Sequence, residues 1–141
     1  MSSREDHVMI TQPKFAVLYV ADQERALEFF SGTLGFEVLT DVRYGDDARW
    51  LEVRPPGAST YLVLASGEPG LAERIRAQRG PMSTVWFDCE DLDATFVELS
   101  AKGVSFSVEP RAAPWDPGGT TRWAQFTDPE GTVYGLSSGG G

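Results

Sequence analysis

The sequence predicts an α+β fold of two tandem βαβββ modules, and three observations carry that expectation. The order strand, helix, strand, strand, strand can be read twice along the 141 residues. Arg49-Trp50 recurs as Arg122-Trp123, with a proline seven and a tyrosine twelve residues after each arginine: Pro56 and Tyr61, then Pro129 and Tyr134. Fifteen glycines and nine prolines imply many turns and short elements, which excludes a long helical bundle. The expected organisation is one domain over 1–138, with modules at about 13–66 and 82–138, a connector at 67–81 and a flexible tail at 139–141.

In the first module, Lys14 to Val20 is β-branched and aromatic, and Asp22 is an N-cap candidate for the helix that follows. Ala26, Leu27, Phe30 and Leu34 recur at helical spacing up to Gly35, which is placed to end the helix. Strands follow at Phe36–Arg43, Arg49–Arg54 and Tyr61–Leu64, separated by Gly45-Asp46-Asp47 and Pro55-Pro56-Gly57. A short helical connector runs from Leu71 to Gln78. The pattern restarts with a strand at Thr84–Cys89, a cap at Asp91, a helix over Leu92–Lys102 ending at Gly103, and strands at Val104–Val108, Thr121–Thr127 and Thr132–Leu136. Alternation places Leu51 and Val53 with Arg49, and Ala124 and Phe126 with Arg122, on the faces under the helices. Trp50, Glu52, Trp123 and Gln125 then point to the opposite faces, whose mixed aromatic and polar composition suits a ligand cavity.

With 21 acidic and 12 basic side chains the net charge is -9, which repels nucleic acid and anionic lipid and favours neutral or cationic ligands. No apolar run approaches the roughly 18 residues of a membrane span. The start lacks an apolar signal stretch, so the expected location is cytoplasmic, with no membrane partner. One cysteine excludes an intrachain disulfide, and one histidine, His7, excludes any two-imidazole metal site within one chain. His7 lies in a polar tail and reads as a solvated residue. Cys89, beside Glu90 and Asp91, reads as a packed, inert thiol. Asp91 and Asp93 read as a cap and a first-turn charge, and Gly118-Gly119 as a loop, not a phosphate cradle.

The motifs Leu18-Tyr-Val-Ala-Asp22, Ala26-Leu-Glu-Phe-Phe30 with Leu34-Gly-Phe36, Arg49-Trp-Leu-Glu-Val with Pro55-Pro-Gly, Asp91-Leu-Asp, Gly103-Val and Phe126-Thr-Asp-Pro-Glu-Gly131 span about residues 13 to 138. In order and spacing the chain resembles the vicinal oxygen chelate superfamily, the glyoxalase, bleomycin-resistance and extradiol dioxygenase group. The resemblance implies a U-shaped mixed sheet around a central cavity, commonly in a homodimer. It also implies metal-ligand positions at Phe15, Leu62, Thr84 and Gly135, none of which carries a suitable donor here, so no metal and no cofactor is expected.

What remains is a set of candidate ligand-binding residues: Phe15 and Tyr19 on the first strand, Trp50 and Glu52, then Thr84, Trp86 and Asp88, with Trp123 and the loop residue Trp115. An aromatic trough edged by Glu52 and Asp88 would take a flat neutral or cationic compound by stacking and cation–π contact. The first reading is a metal-independent small-molecule-binding protein, of the drug-sequestering kind that the bleomycin-binding proteins represent. A second is an enzyme using Glu52 or Asp88 as a general base whose pKa is raised by a hydrophobic surround. A third is a structural or regulatory partner protein whose cavity is filled by its own side chains.

Overall fold

The computed structural model describes residues 9–139. His7 and residues 140–141 of the expected tail lie outside the described residues. The chain runs β1 (Phe15–Tyr19), α1 (Gln23–Leu27), β2 (Glu37–Tyr44), β3 (Ala48–Arg54), β4 (Tyr61–Ala65), α2 (Leu71–Ala77), β5 (Val85–Asp88), α3 (Leu92–Ala101), β6 (Ser105–Ala112), β7 (Arg122–Thr127) and β8 (Val133–Ser138). The strands form two four-stranded sheets, β1-β4-β3-β2 and β5-β8-β7-β6. In each, the first pair is parallel and the others are antiparallel. The fold is α+β, built of two tandem βαβββ modules, and the U that the resemblance implies is composed of two separate sheets. Among the described residues no helix is long and apolar enough to cross a membrane.

Repeated sequence makes repeated local structure. Asp22 and Asp91 both have extended backbone and each accepts a hydrogen bond at 3.1 Å from the amide three residues on, Arg25 N and Ala94 N. Two residues after each cap, Glu24 and Asp93 hold Arg49 at 2.8 Å and Arg122 at 2.9 Å. Gly35 and Gly103 end the helical segments with φ of +78° and +90°, a conformation glycine adopts without strain. One departure is instructive. Past Leu27 the helix widens to a π-helix over Glu28–Thr33, with Leu34 N donating to Phe29 O, five residues back. The wider turn lets the adjacent Phe29 and Phe30 both face inward, at 7% and 0% exposure, where strict α spacing had picked out Phe30 alone.

The alternation expected of the strands holds: Leu51, Val53 and Ala124 are fully buried and Phe126 nearly so. These side chains belong to one core that both modules share. Phe30 meets Tyr134 edge-on at 5.5 Å, Phe36 meets Phe87 at 5.4 Å and Phe29 meets Phe126 at 6.2 Å, so the first module's helical segment packs on the second module's sheet. Each fully buried side chain of this kind contributes about 1.5–3 kcal/mol of transfer free energy. The sheet faces opposite the core therefore point outward.

Pairing corrects the sequence register at one strand. Phe15 lies opposite Tyr61, whereas Val85 lies opposite Tyr134. Because Phe15 corresponds to Thr84 and not to Val85, Tyr61 corresponds to Val133, and the twelve-residue offset of the two tyrosines is a coincidence. A one-residue difference in loop length moved the match to the opposite face: Tyr134 is buried in the core while Tyr61 stands half-exposed on the outer face. The same correction replaces Leu62, a core residue, with Val63 as the counterpart of Gly135.

Candidate functional site

On the first sheet's outer face, Phe15 stacks on Tyr61 at 5.4 Å and meets Trp50 edge-on at 6.0 Å. Trp50 Nε1 donates to Glu52 Oε2 at 2.7 Å, and the Thr40 and Tyr61 hydroxyls also bond to this carboxylate. Burial works to raise the Glu52 pKa, but the bonds from Trp50, Thr40 and Tyr61 together outweigh it and hold the carboxyl below its ordinary range. The general-base reading expected a raised pKa at Glu52; instead the carboxyl is lowered by neighbouring donors, Trp50 Nε1 among them. Farther along, Tyr19 lies under the Arg74 guanidinium, 5.2 Å from ring centroid to Cζ. Phe15, Val17, Val42 and Tyr44 leave a substantial apolar surface open on this face, each 38% to 55% exposed.

The second sheet's outer face is organised around tryptophan. Trp86 lies opposite Gly135 across the parallel β5–β8 pair, and a Cβ built at Gly135 would fall 2.2–2.6 Å from the Trp86 ring atoms. Glycine is required there because the indole lies on the backbone. Trp123 is 6.0 Å from Trp86, and Trp115, on the loop after β6, reaches both, at 5.5 Å and 6.3 Å. Trp123 Nε1 is buried without a hydrogen-bond partner among the described residues. Beside it, Gln125 is buried and donates from Nε2 to Ser83 Oγ at 2.8 Å and to Pro81 O at 3.2 Å.

Of the nine expected site residues, Phe15, Trp50 and Glu52 come together on one sheet, with Tyr19 at its far end. Trp86, Trp115 and Trp123 come together on the other. No aromatic contact among the described residues joins the sets. Thr84 is exposed just before β5, and Asp88 is exposed at the end of that strand, where it borders a cleft of about 400 Å³ against Ser59 and Thr60. Asp88 is thus open to solvent on one side, while the apolar side chains of Pro55, Leu62, Val85 and Phe87 line the same cleft. Sequence reasoning missed Tyr61 and Thr40 as partners of Glu52, and the seat that Gly135 gives Trp86. The alternation rule, applied to β4 in its true register, would have found Tyr61.

The remaining minor expectations have physical explanations. Cys89 Sγ donates to Thr95 Oγ1 at 3.0 Å from a half-buried position. The amides around Gly118-Gly119 are occupied by Asp116, which accepts from Gly118 N at 3.0 Å and Thr121 N at 2.9 Å. At the family's metal positions stand Phe15, Val63, Thr84 and Gly135, and the Trp86 indole occupies the space over Gly135. Hydrocarbon side chains, one hydroxyl and a glycine do not make a donor set for a divalent metal. Among the described residues no three His, Cys, Asp or Glu side chains converge. The residues do not fit a metal.

Comparison with known proteins agrees with this architecture. Residues 6–134 match the family model of the Glyoxalase/Bleomycin resistance protein/Dioxygenase superfamily. The Bacillus subtilis (strain 168) protein YetH is 33% identical over 126 residues, covering 89% of this chain and 97% of the relative. Among solved structures, TnmS3, an antibiotic binding protein from Streptomyces sp. CB03234, is 33% identical with a TM-score of 0.74, covering 94% of this chain and 99% of its own. A member of the superfamily from Sphaerobacter thermophilus DSM 20745 is 30% identical with a TM-score of 0.76, covering 93% and 99%. The duplicated modules, their shared core and these matches agree: the chain belongs to the Glyoxalase/Bleomycin resistance protein/Dioxygenase superfamily.

Proposed function

We propose that the protein binds a flat, neutral or cationic small molecule without a resident metal, as a sequestering protein comparable to the antibiotic-binding TnmS3. The observation that carries this reading is the pair of outward aromatic faces, one around an ionised carboxylate and one made of three tryptophans. Neither face presents an activated nucleophile or a poised base. Stacking and cation–π attraction are what these groups offer, and each stacked pair is worth about 0.5–1.5 kcal/mol beyond its burial. The Trp123 N–H adds one buried donor for an acceptor on the ligand.

Because the shared core holds the two faces on outer surfaces, the trough forms in a homodimer, with the Phe15–Trp50 face of one protomer opposite the tryptophan face of its partner. The open apolar surface of Val17, Val42 and Tyr44 supports such burial, since isolated monomers rarely leave large apolar patches on one face. The test is a fluorescence titration with proflavine as cationic probe and acridone as neutral probe, paired with sedimentation. Saturable quenching is expected in a dimer, and Trp86→Ala should weaken binding about five- to thirtyfold. Glu52→Gln should weaken binding of proflavine alone. Quenching that survives Trp86→Ala and Trp50→Ala unchanged would remove both faces from the site.

A further inference from the structure

Away from both aromatic faces, α2, the start of α1 and the Asp128-Pro-Glu-Gly131 turn enclose a cleft of about 490 Å³. Its floor includes Leu71 and the buried Ile75, and its rim carries Arg25, Arg76 and Arg79. These guanidiniums lack carboxylate partners: among the described residues, the arginines in ion pairs are Arg49, Arg54 and Arg122. Two of the three are held in place by neutral acceptors, Arg25 Nη2 donating to Pro129 O at 2.8 Å and Arg79 Nη2 to Glu130 O at 2.6 Å. Arg79 also lies against Gly131, where a Cβ would come within 3.2 Å of its Nε. A carbonyl contact positions a guanidinium without cancelling its charge, and four of five N–H donors stay free on each.

One carboxylate borders the cleft, that of Glu130. Its oxygens are engaged by backbone amides, Oε1 accepting from Ala21 N at 2.8 Å and Oε2 from Asp22 N at 3.0 Å. The Asp22 carboxylate is likewise turned to its own helix, capping Arg25 N. Three guanidiniums against the one lining carboxylate leave the cleft a net positive charge, in a chain of net charge -9, so its local field is opposite in sign to the rest of the molecule. We propose that this cleft binds an amphiphilic organic anion, with its carboxylate or phosphate on Arg76 and Arg79 and its apolar body on Leu71 and Ile75. The site is independent of the trough and of the reading given to it.

Amide spectra of the full chain, titrated with octanoate, octyl phosphate, inorganic phosphate and octanol, test the proposal. Octanoate or octyl phosphate should shift the Ala72 and Ile75 signals saturably, added salt should weaken the effect, and octanol should not reproduce it. Arg76→Ala, which removes a guanidinium with no hydrogen bond among the described residues, should weaken binding about fivefold or more. Trp86→Ala should leave it unchanged. Absence of the shift at millimolar probe would overturn the proposal. So would equal binding by Arg76→Ala and wild type, or inorganic phosphate binding as tightly as the alkyl anions. If octyl phosphate binds and octanoate does not, the anion is a phosphate ester; the reverse result assigns a carboxylate.

Discussion

The two sheets present matching positions with opposite solutions. Where the first module sets Val17 opposite Val63, the second sets Trp86 opposite Gly135. Where the first has Glu52 beneath Trp50, the second has Gln125 beneath Trp123. The first face is open and charged at its centre; the second is capped by its own indoles and neutral at its centre. Duplication supplied one frame twice, and a few exchanges of volume and charge made the two faces differ. A face with a carboxylate and spare apolar surface is suited to recognise a cation, while a tryptophan face is suited to cover it.

The largest effect should come from undoing the exchange of volume. Gly135→Val recreates the first module's pair in the second, but its Cβ would fall inside the Trp86 ring and the indole must leave its seat. Overpacking of this kind costs about 1–3 kcal/mol. Combining it with Trp86→Val should recover much of that loss, so a double-mutant cycle by urea denaturation should give a coupling energy of about 1 kcal/mol or more. Additive losses would mean that the Trp86–Gly135 contact does not set the shape of this face.

Charge at the centre gives the next effect. Glu52→Ala leaves the Trp50, Thr40 and Tyr61 donors without their acceptor, at a cost of about 1–3 kcal/mol. Gln125→Ala removes a donor from Ser83 and Pro81 and should cost less, because no charge is involved. The pH dependence has a defined sign. A carboxyl whose folded pKa lies below its unfolded value stabilises the fold above the unfolded pKa of about 4.3, and that contribution is lost as pH falls through the folded pKa. Glu52→Gln should flatten the acid limb of the stability curve, while Gln125→Gly, with no titrating group, should leave its shape alone.

Much of this frame was legible in the sequence because caps, glycine stops and strand alternation are local. Asp22, Asp91, Gly35 and Gly103 announce the helices, and the spacing of Leu51 and Val53 announces the buried face. What local pattern could not give is pairing. The twelve-residue match of Tyr61 to Tyr134 was persuasive along the chain and wrong across the sheet, since register depends on which strand lies alongside. The same limit hid the separation of Trp50 from Trp86, because alternation tells which face a residue takes but not which way that face turns. It also hid Gln78, whose side chain accepts from Tyr19 N, donates to Tyr19 O and reaches Thr132 Oγ1, tying the first strand to the last turn.

The smallest expected effect concerns the loop that carries Trp115 onto the second face. Asp116 anchors it: hydrogen bonds from Thr121, side chain and amide, lower its pKa to about 2, aided by Gly118 N and the Thr120 hydroxyl. With the folded pKa below the unfolded value of about 3.9, the anchor holds above pH 4 and is released as pH falls toward 2. Trp115 is the neighbouring residue and 57% exposed, so its emission reports the release. Trp50 would respond to protonation of Glu52, whose carboxyl is also held below its ordinary range, and a Trp50→Phe background removes that signal. In this background the emission should change between about pH 4 and pH 2, and Asp116→Asn, which has no proton to gain there, should abolish the transition. Since the first face has no such loop, a transition that persists in the Asp116→Asn variant would assign it to another carboxylate and leave the Asp116 anchor without a role in the acid response of the second face.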